Sequence, residues 1–204
     1  MKNLRFVILL PLLLVSFPLL ANTYGLKKGT KAPTFIAKDI YNKSIDSRQL
    51  TKSGPTVLVF YRGGWCPYCN TQLQRLQKKV AEPLKTAGAH LIAISVDKIA
   101  EGTKSQKQHN LDFTIISDPE ASILKKFNVA YTVPDNLVRK YLSKNIDLEK
   151  SSGRKHHIIA VPAVYVIDSQ GMIRYAHVDS NYKKRAPAED IIAAVQKIAH
   201  QSGS

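Results

Sequence analysis

Sulfur, tryptophan and acidic side chains are scarce in this 204-residue chain, which has two Cys, two Met, one Trp, and 15 Asp and Glu against 30 Lys and Arg. With only Cys66 and Cys69, three positions apart, the fold cannot rest on disulfide staples and must rest on an apolar core. No second Cys-x-x-Cys and no spaced His pair follows, so the four ligands of a structural zinc site are not assembled. His156 and His157 are adjacent and do not suit one tetrahedral ion, and His90, His109, His177 and His200 show no metal spacing. A purely structural bridge between the two cysteines would stabilise little, because so short a loop barely restricts the unfolded chain. No internal repeat or low-complexity tract is present.

The shortage of acids leaves a net charge of +15, or +13 once Lys2 and Arg5 are set aside. Its basic residues are scattered through Lys27/Lys28, Lys78/Lys79, Lys125/Lys126 and Lys183/Lys184/Arg185, with no aromatic-interleaved stripe. Nucleic acid is therefore not the expected partner. A solvated basic surface, loosely attracted to anionic membrane or polymer, is the expectation.

One long apolar run exists, FVILLPLLLVSFPLL over residues 6–20, behind Lys2 and Arg5 and ahead of the small Ala21. That is the pattern of a secretory leader with cleavage after Ala21, and the run is shorter than the ~20 apolar residues of a spanning helix. We expect residues 1–21 to be a signal peptide and residues 22–204 to form one exported domain, periplasmic or secreted. No stable membrane insertion is expected after cleavage; an uncleaved anchor is the alternative.

Against this spare background the segment FYRGGWCPYCN, residues 60–70, concentrates the chemistry. TVLVFY, residues 56–61, reads as a short buried strand, and the chain from Asn70 onward as a helix, so the cysteines fall where strand turns into helix. A thiolate there faces unpaired backbone N–H groups, which lower a cysteine pKa from ~8.5 toward ~3.5–7.5. A redox-active pair follows from that context, with the second sulfur one turn away and able to close a disulfide.

Elsewhere, AHLIAISV over 89–96 is a near-continuous apolar run typical of a buried parallel strand, residues 113–116 read as a further strand, and residues 35–40 and the strand over 56–61 bracket a polar segment. Helices are expected over 99–110, from Asp118 with Pro119 at its first position to about Phe127, and from Pro187 to about Ala199. Pro83 is expected to kink or end the helix after the cysteines, with Gly88 past its end. Residues 163–167 and 172–178 flank Asp168-Ser169-Gln170-Gly171, a hairpin signal. The alternation predicts an α/β fold, a central mixed sheet flanked by helices. Residues 128–159 are not required by it and read as an insertion, with a helix over 137–142 and an exposed loop over 151–157; long insertions near a site commonly carry specificity. Asp179, Tyr182 and Arg185 fall in a loop after the hairpin, for which solvation is the expectation and lining of the pocket the alternative.

The ordered set GTKAPTFIAKDIYNK, VLVFYRGGWCPYC, LIAISVD, FTIISDPEASILKKFNV and VPAVYVIDSQGMIRYAHVDSNYKKR resembles the thioredoxin superfamily. Within it the set resembles the peroxiredoxin-like branch of the alkyl hydroperoxide reductase and thiol-specific antioxidant family. The resemblance spans nearly all of residues 22–204 and implies a thioredoxin-like fold, no cofactor, a peroxide substrate, and recycling by a thioredoxin-like or small-molecule thiol. In the peroxiredoxin frame, Arg62 falls on the usual proline, Cys66 on the usual threonine and Cys69 on the reactive cysteine. The usual arginine ahead of a later strand is missing near Pro162, leaving Arg62 or Arg174 to supply a cation. In the thioredoxin frame, Trp65-Cys66-Pro67-Tyr68-Cys69 is a WCxxC site with Cys66 attacking and Cys69 resolving. Pro162, after Val161, then matches a cis-proline facing it. The two frames disagree about which sulfur attacks.

Three functions compete on these residues. A thiol peroxidase using Cys69 and Cys66, with Arg62, Trp65, Pro67 and Pro162 shaping the site and Trp65 shielding the sulfur, leads. A thiol-disulfide oxidoreductase acting on protein cysteines is the alternative. A Cu(I)-handling protein is the third, since two thiolates suit that ion.

Overall fold

In the computed structural model, which describes residues 24–202, the apolar pattern is expressed as a seven-stranded mixed sheet with helices on both faces. The leader expectation falls on residues outside the described range. In chain order the elements are β1 (Ile36–Asp39), β2 (Ser44–Asp46), α1 (Ser47–Ser53), β3 (Thr56–Phe60), α2 (Pro67–Lys79), α3 (Ala81–Thr86), β4 (His90–Ser95), α4 (Ile99–His109) and β5 (Thr114–Ser117). There follow α5 (Ser122–Lys126), β6 (Ala130–Thr132), α6 (Asp135–Leu142), α7 (Leu148–Ser152), β7 (Ile158–Ala160), β8 (Ala163–Ile167), β9 (Ile173–Val178) and α8 (Ala188–Ser202).

The sheet order is β2-β1-β5-β4-β3-β8-β9. β3 runs parallel to β4, and β4 parallel to β5, as helical crossovers require; β8 is antiparallel to β3 and to β9. Every residue of β3 is buried because both faces of the sheet are covered. Val57, Val59 and Tyr61 join Leu73 and Leu76 of α2 and Ile191 and Val195 of α8 on one face. Leu58 and Phe60 join Ile123, Leu124 and Phe127 on the other. This period-2 division holds β3 in register and fixes where it releases the chain, two residues before Arg62.

The insertion is a small unit with its own core. β6 and β7 pair antiparallel, and Val133, Val138, Leu148 and Ile159 pack together with Trp65, Tyr131 and Tyr141 against them. The unit is therefore joined to the cysteine segment through the only tryptophan.

Several boundaries differ from expectation for local reasons. The helix after the cysteines starts at Pro67 rather than Asn70, because proline suits the first helical position. It ends at Lys79, four residues before Pro83, where the proline ring would otherwise meet the helix carbonyl. Gly88, at φ 65°, follows α3 as expected. Asp118 does cap a helix, accepting N–H groups of Ser122, Ile123 and Leu124 at 2.8–3.0 Å. That helix begins at Ser122 and not at Pro119, since Ala121 takes a left-handed φ of 55°. The loop expected over 151–157 starts inside α7, where Ser152 is buried and its hydroxyl donates to the Leu148 carbonyl.

Candidate active site

β3 delivers the chain to Arg62, and Gly63 and Gly64 turn it toward α2. Gly63 has φ 148°, and a Cβ there would fall on the Trp65 indole and the Asp97 carboxylate; a Cβ on Gly64 would fall on the Ser105 hydroxyl. Two glycines in a row let this loop pass close to the end of β4, where the Gly64 N–H donates to Asp97 at 2.7 Å. Cys66 is the N-cap of α2 and Cys69 lies in its first turn. Both are free thiols and both are buried, 1% and 0% exposed.

The two sulfurs have opposite electrostatics. Cys66 is lowered from 9.0 to about 6, first by a hydrogen bond from the Cys69 thiol, then by the Cys69 backbone N–H and the cations Arg62 and Arg185, against the opposing effect of burial. Cys66 makes no standard side-chain capping bond, so the N–H contributes as a nearby positive dipole rather than as an ideal cap. Cys69 is pushed well up, mainly by burial and by the neighbouring Cys66, although Arg185 donates to its sulfur at 3.5 Å. At neutral pH the pair is therefore a Cys66 thiolate accepting from a Cys69 thiol.

Arg62 is a buried cation, 6% exposed, with no ion-pairing carboxylate among the described residues. Aromatic rings take that place. Its guanidinium lies over Tyr182 at 4.4 Å, Trp65 at 5.0 Å and Tyr141 at 5.6 Å, and donates to the Tyr141 hydroxyl. Tyr182 also packs edge-on against Tyr68, at 5.5 Å. Arg62 is thus held among three rings with its charge available to the Cys66 sulfur.

Of the residues singled out from sequence, Cys66, Cys69, Arg62, Trp65 and Pro67 come together at the β3/α2 junction. Trp65 covers the Arg62 guanidinium and meets Tyr141 at 5.6 Å. The cis-proline expectation fails: among the described residues every peptide bond is trans, including Val161-Pro162. Trans is the default even before proline, and here the Val161 N–H donates to the Val129 carbonyl at 2.7 Å between β7 and β8. Pro162 sits one residue before β8, where a missing N–H costs no ladder bond; it lines a cavity with Arg62 and Tyr182. Arg174 does not serve the site, because its Nε donates to Asp168 at 2.6 Å in the β8/β9 turn.

Two residues at the site, Tyr182 and Arg185, were set aside in favour of a solvated loop, and two more, Tyr141 and Asp97, were missed. Arg185 and Tyr182 come from the loop after β9, Tyr141 from the insertion, and Asp97 from just past the end of β4. Asp97 is buried and raised to about 7, chiefly by burial, with the Gly64 N–H on its Oδ2 opposing the rise and its Oδ1 without a partner among the described residues. The Gly63-Gly64 pair was the available signal for that close approach; nothing in the spacing reveals Arg185.

A β3-α2-β4 unit with a cysteine pair at the helix start, inside a mixed sheet, defines a thioredoxin-like fold. Residues 28–176 match the AhpC/TSA family, and the chain belongs to that family. It is 27% identical over 150 residues to peroxiredoxin Q, chloroplastic, of Oryza sativa subsp. japonica, covering 74% of this chain and 58% of that protein. It is 28% identical over 102 residues to the thiol-disulfide oxidoreductase ResA of Bacillus cereus, covering 50% of this chain and 57% of that one. The chain thus spans little more than half the length of these curated relatives. The crystal structure of peroxidoxin BcpB from Mycobacterium tuberculosis superposes with a TM-score of 0.66 at 17% identity, over 85% of this chain and 98% of that one.

Proposed function

We propose that the protein is an exported thiol peroxidase in which Cys66 attacks and Cys69 resolves. The observation that carries this reading is the depressed Cys66, a thiolate at about pH 6 and above, beside two cations. The Cys66 thiolate attacks one oxygen of a hydroperoxide; the O–O bond breaks, leaving a Cys66 sulfenic acid and an alkoxide or hydroxide that takes up a proton. Arg62 and Arg185 stabilise the charge that moves from sulfur to the departing oxygen. The Cys69 thiol then displaces water from the sulfenic acid, closing the disulfide, and a thioredoxin-like or small-molecule dithiol restores both cysteines. The balance is one peroxide and two thiols to one alcohol or water, one water and one disulfide.

Burial of both sulfurs favours a small oxidant over a folded protein disulfide. The similarity to ResA supports a second reading, exchange with protein cysteines, for which Tyr68 and Tyr182, 44% and 38% exposed, offer a contact rim. Export rests on the leader pattern of residues 1–21 and is checked by N-terminal sequencing of the exported protein, which should begin at Asn22.

Stopped-flow oxidation by hydrogen peroxide separates the readings. Cys66→Ser should abolish rapid consumption, by at least a hundredfold, while Cys69→Ser should leave a sulfenic acid on Cys66 that dimedone traps. A dimedone adduct confined to Cys69 in Cys66→Ser, with consumption retained, would assign attack to Cys69. Insulin reduction without peroxide consumption would favour the second reading.

A further inference from the structure

A cavity of about 490 Å³ opens between the insertion and the start of β8, within the ~300–1,000 Å³ range of small-molecule sites. Its walls are mostly apolar, with Tyr131, Leu137, Ile159, Val161 and Pro162 contributing. Its charged lining is of one sign: Arg62 on the β3 side, Lys140 in the last turn of α6 and Lys144 in the turn that follows, with no Asp or Glu. Among the described residues neither lysine lies within ion-pair distance of a carboxylate. An apolar cleft rimmed by unpaired cations suits an apolar chain that ends in an anion. A neutral chain would leave the lysines unmatched, and a bare inorganic anion would leave the apolar wall exposed.

We infer that this cavity binds an amphipathic carboxylate, its charged end at Lys140 and Lys144 and its apolar part lying along Leu137, Ile159 and Val161. The inference rests on the peroxidase reading in one respect. Arg62 belongs both to the cavity and to the surroundings of the Cys66 sulfur, so a hydroperoxide carried on the bound chain is brought to the cation that acts on that sulfur. The insertion then selects substrates by charge, favouring a hydroperoxy acid over its neutral ester. The bond changes remain those given above, with the hydroperoxy acid leaving as the hydroxy acid.

The test uses the reduced full-length protein and isothermal titration with dodecanoate, dodecanol and dodecyl phosphate. Dodecanoate should bind at one site and at least tenfold more tightly than dodecanol. That preference should fall about tenfold in Lys140→Gln/Lys144→Gln, which is what two exposed charge contacts at the upper end of their range supply together. The control Lys78→Gln/Lys79→Gln, which removes equal charge from exposed positions on α2, should keep it, separating a site from the general pull of a basic protein. Equal binding of acid and alcohol, a preference unmoved by the Lys140/Lys144 change, an equal fall in the control, or tighter binding of dodecyl phosphate overturns the inference. In a second measurement, the kcat/KM ratio for a long-chain hydroperoxy acid over its methyl ester should fall in the same double variant. Loss of all peroxide consumption while dodecanoate still binds with the stated preference would sink the peroxidase reading and support the site. Consumption of hydrogen peroxide without that preference would sink only the site.

Discussion

At the scale of single residues, the site works by giving two chemically identical thiols different protons. With Cys66 lowered to about 6, the second-order rate with hydrogen peroxide should rise tenfold per pH unit below about pH 6 and level off above it. Ultraviolet titration of the thiolate should show the same midpoint. Arg62→Met should move that midpoint upward and slow the reaction at neutral pH, on the order of tenfold, since one cation near the sulfur is lost. Asp97 carries a separate signature. Its folded pKa, about 7, lies above the ordinary 3.8, so between those values the folded chain keeps a proton that the unfolded chain releases. Stability is therefore highest below about pH 4 for this group and is lost as pH rises to about 7, by on the order of a few kcal/mol. Asp97→Asn should flatten that decline in urea unfolding at pH 4.5 and 7.5; an identical slope in both proteins would show the carboxyl to be an ordinary one. The cysteines, Arg62 and Trp65 were legible in sequence because they share one short segment. Arg185 was not, since 116 residues separate it from Cys69 and only the return of β9 toward α8 brings the two together.

At the scale of elements, β3, β4, β8, β9 and α8 could be read from apolar runs and turn residues, because burial on both sheet faces leaves little ambiguity of period. The short elements β2, α1, β6 and β7 were not foreseen. They are three to seven residues long, too short to repeat a pattern, and tertiary contacts hold them in place. The cis expectation at Val161-Pro162 failed because it rested on one dipeptide matched to the thioredoxin frame, against the general preference of X-Pro bonds for trans. Asp118 shows what a single cap contributes. It accepts three backbone N–H groups of α5, and although burial pulls its own pKa upward, removing it leaves buried donors without partners. Asp118→Ala should destabilise the protein by ~1–3 kcal/mol in urea unfolding. Because α5 lies on the sheet face opposite α2, the Cys66 thiolate midpoint should stay where it was. A shifted midpoint would mean that the two faces are coupled.

At the scale of the whole molecule, the AhpC/TSA frame supplies the scaffold, and the insertion of residues 128–159 brings its own hydrophobic cluster against Trp65. No helix among the described residues is long and apolar enough to cross a membrane. Oxidised protein should be lighter than reduced protein by two hydrogens in intact-mass spectrometry, with no intermolecular species on non-reducing gels. That expectation follows from the placement of both cysteines in one helical turn, and the same placement sets the order of the reaction. In the proposed reaction the resolving thiol travels with the attacking one, so disulfide closure should be first order in enzyme. Its rate constant should be the same at nanomolar and at micromolar protein and indifferent to whether the chain is alone or assembled. Only the encounters with peroxide and with the external reductant should slow on dilution, so a dilute enzyme would keep its slowest bimolecular steps outside itself.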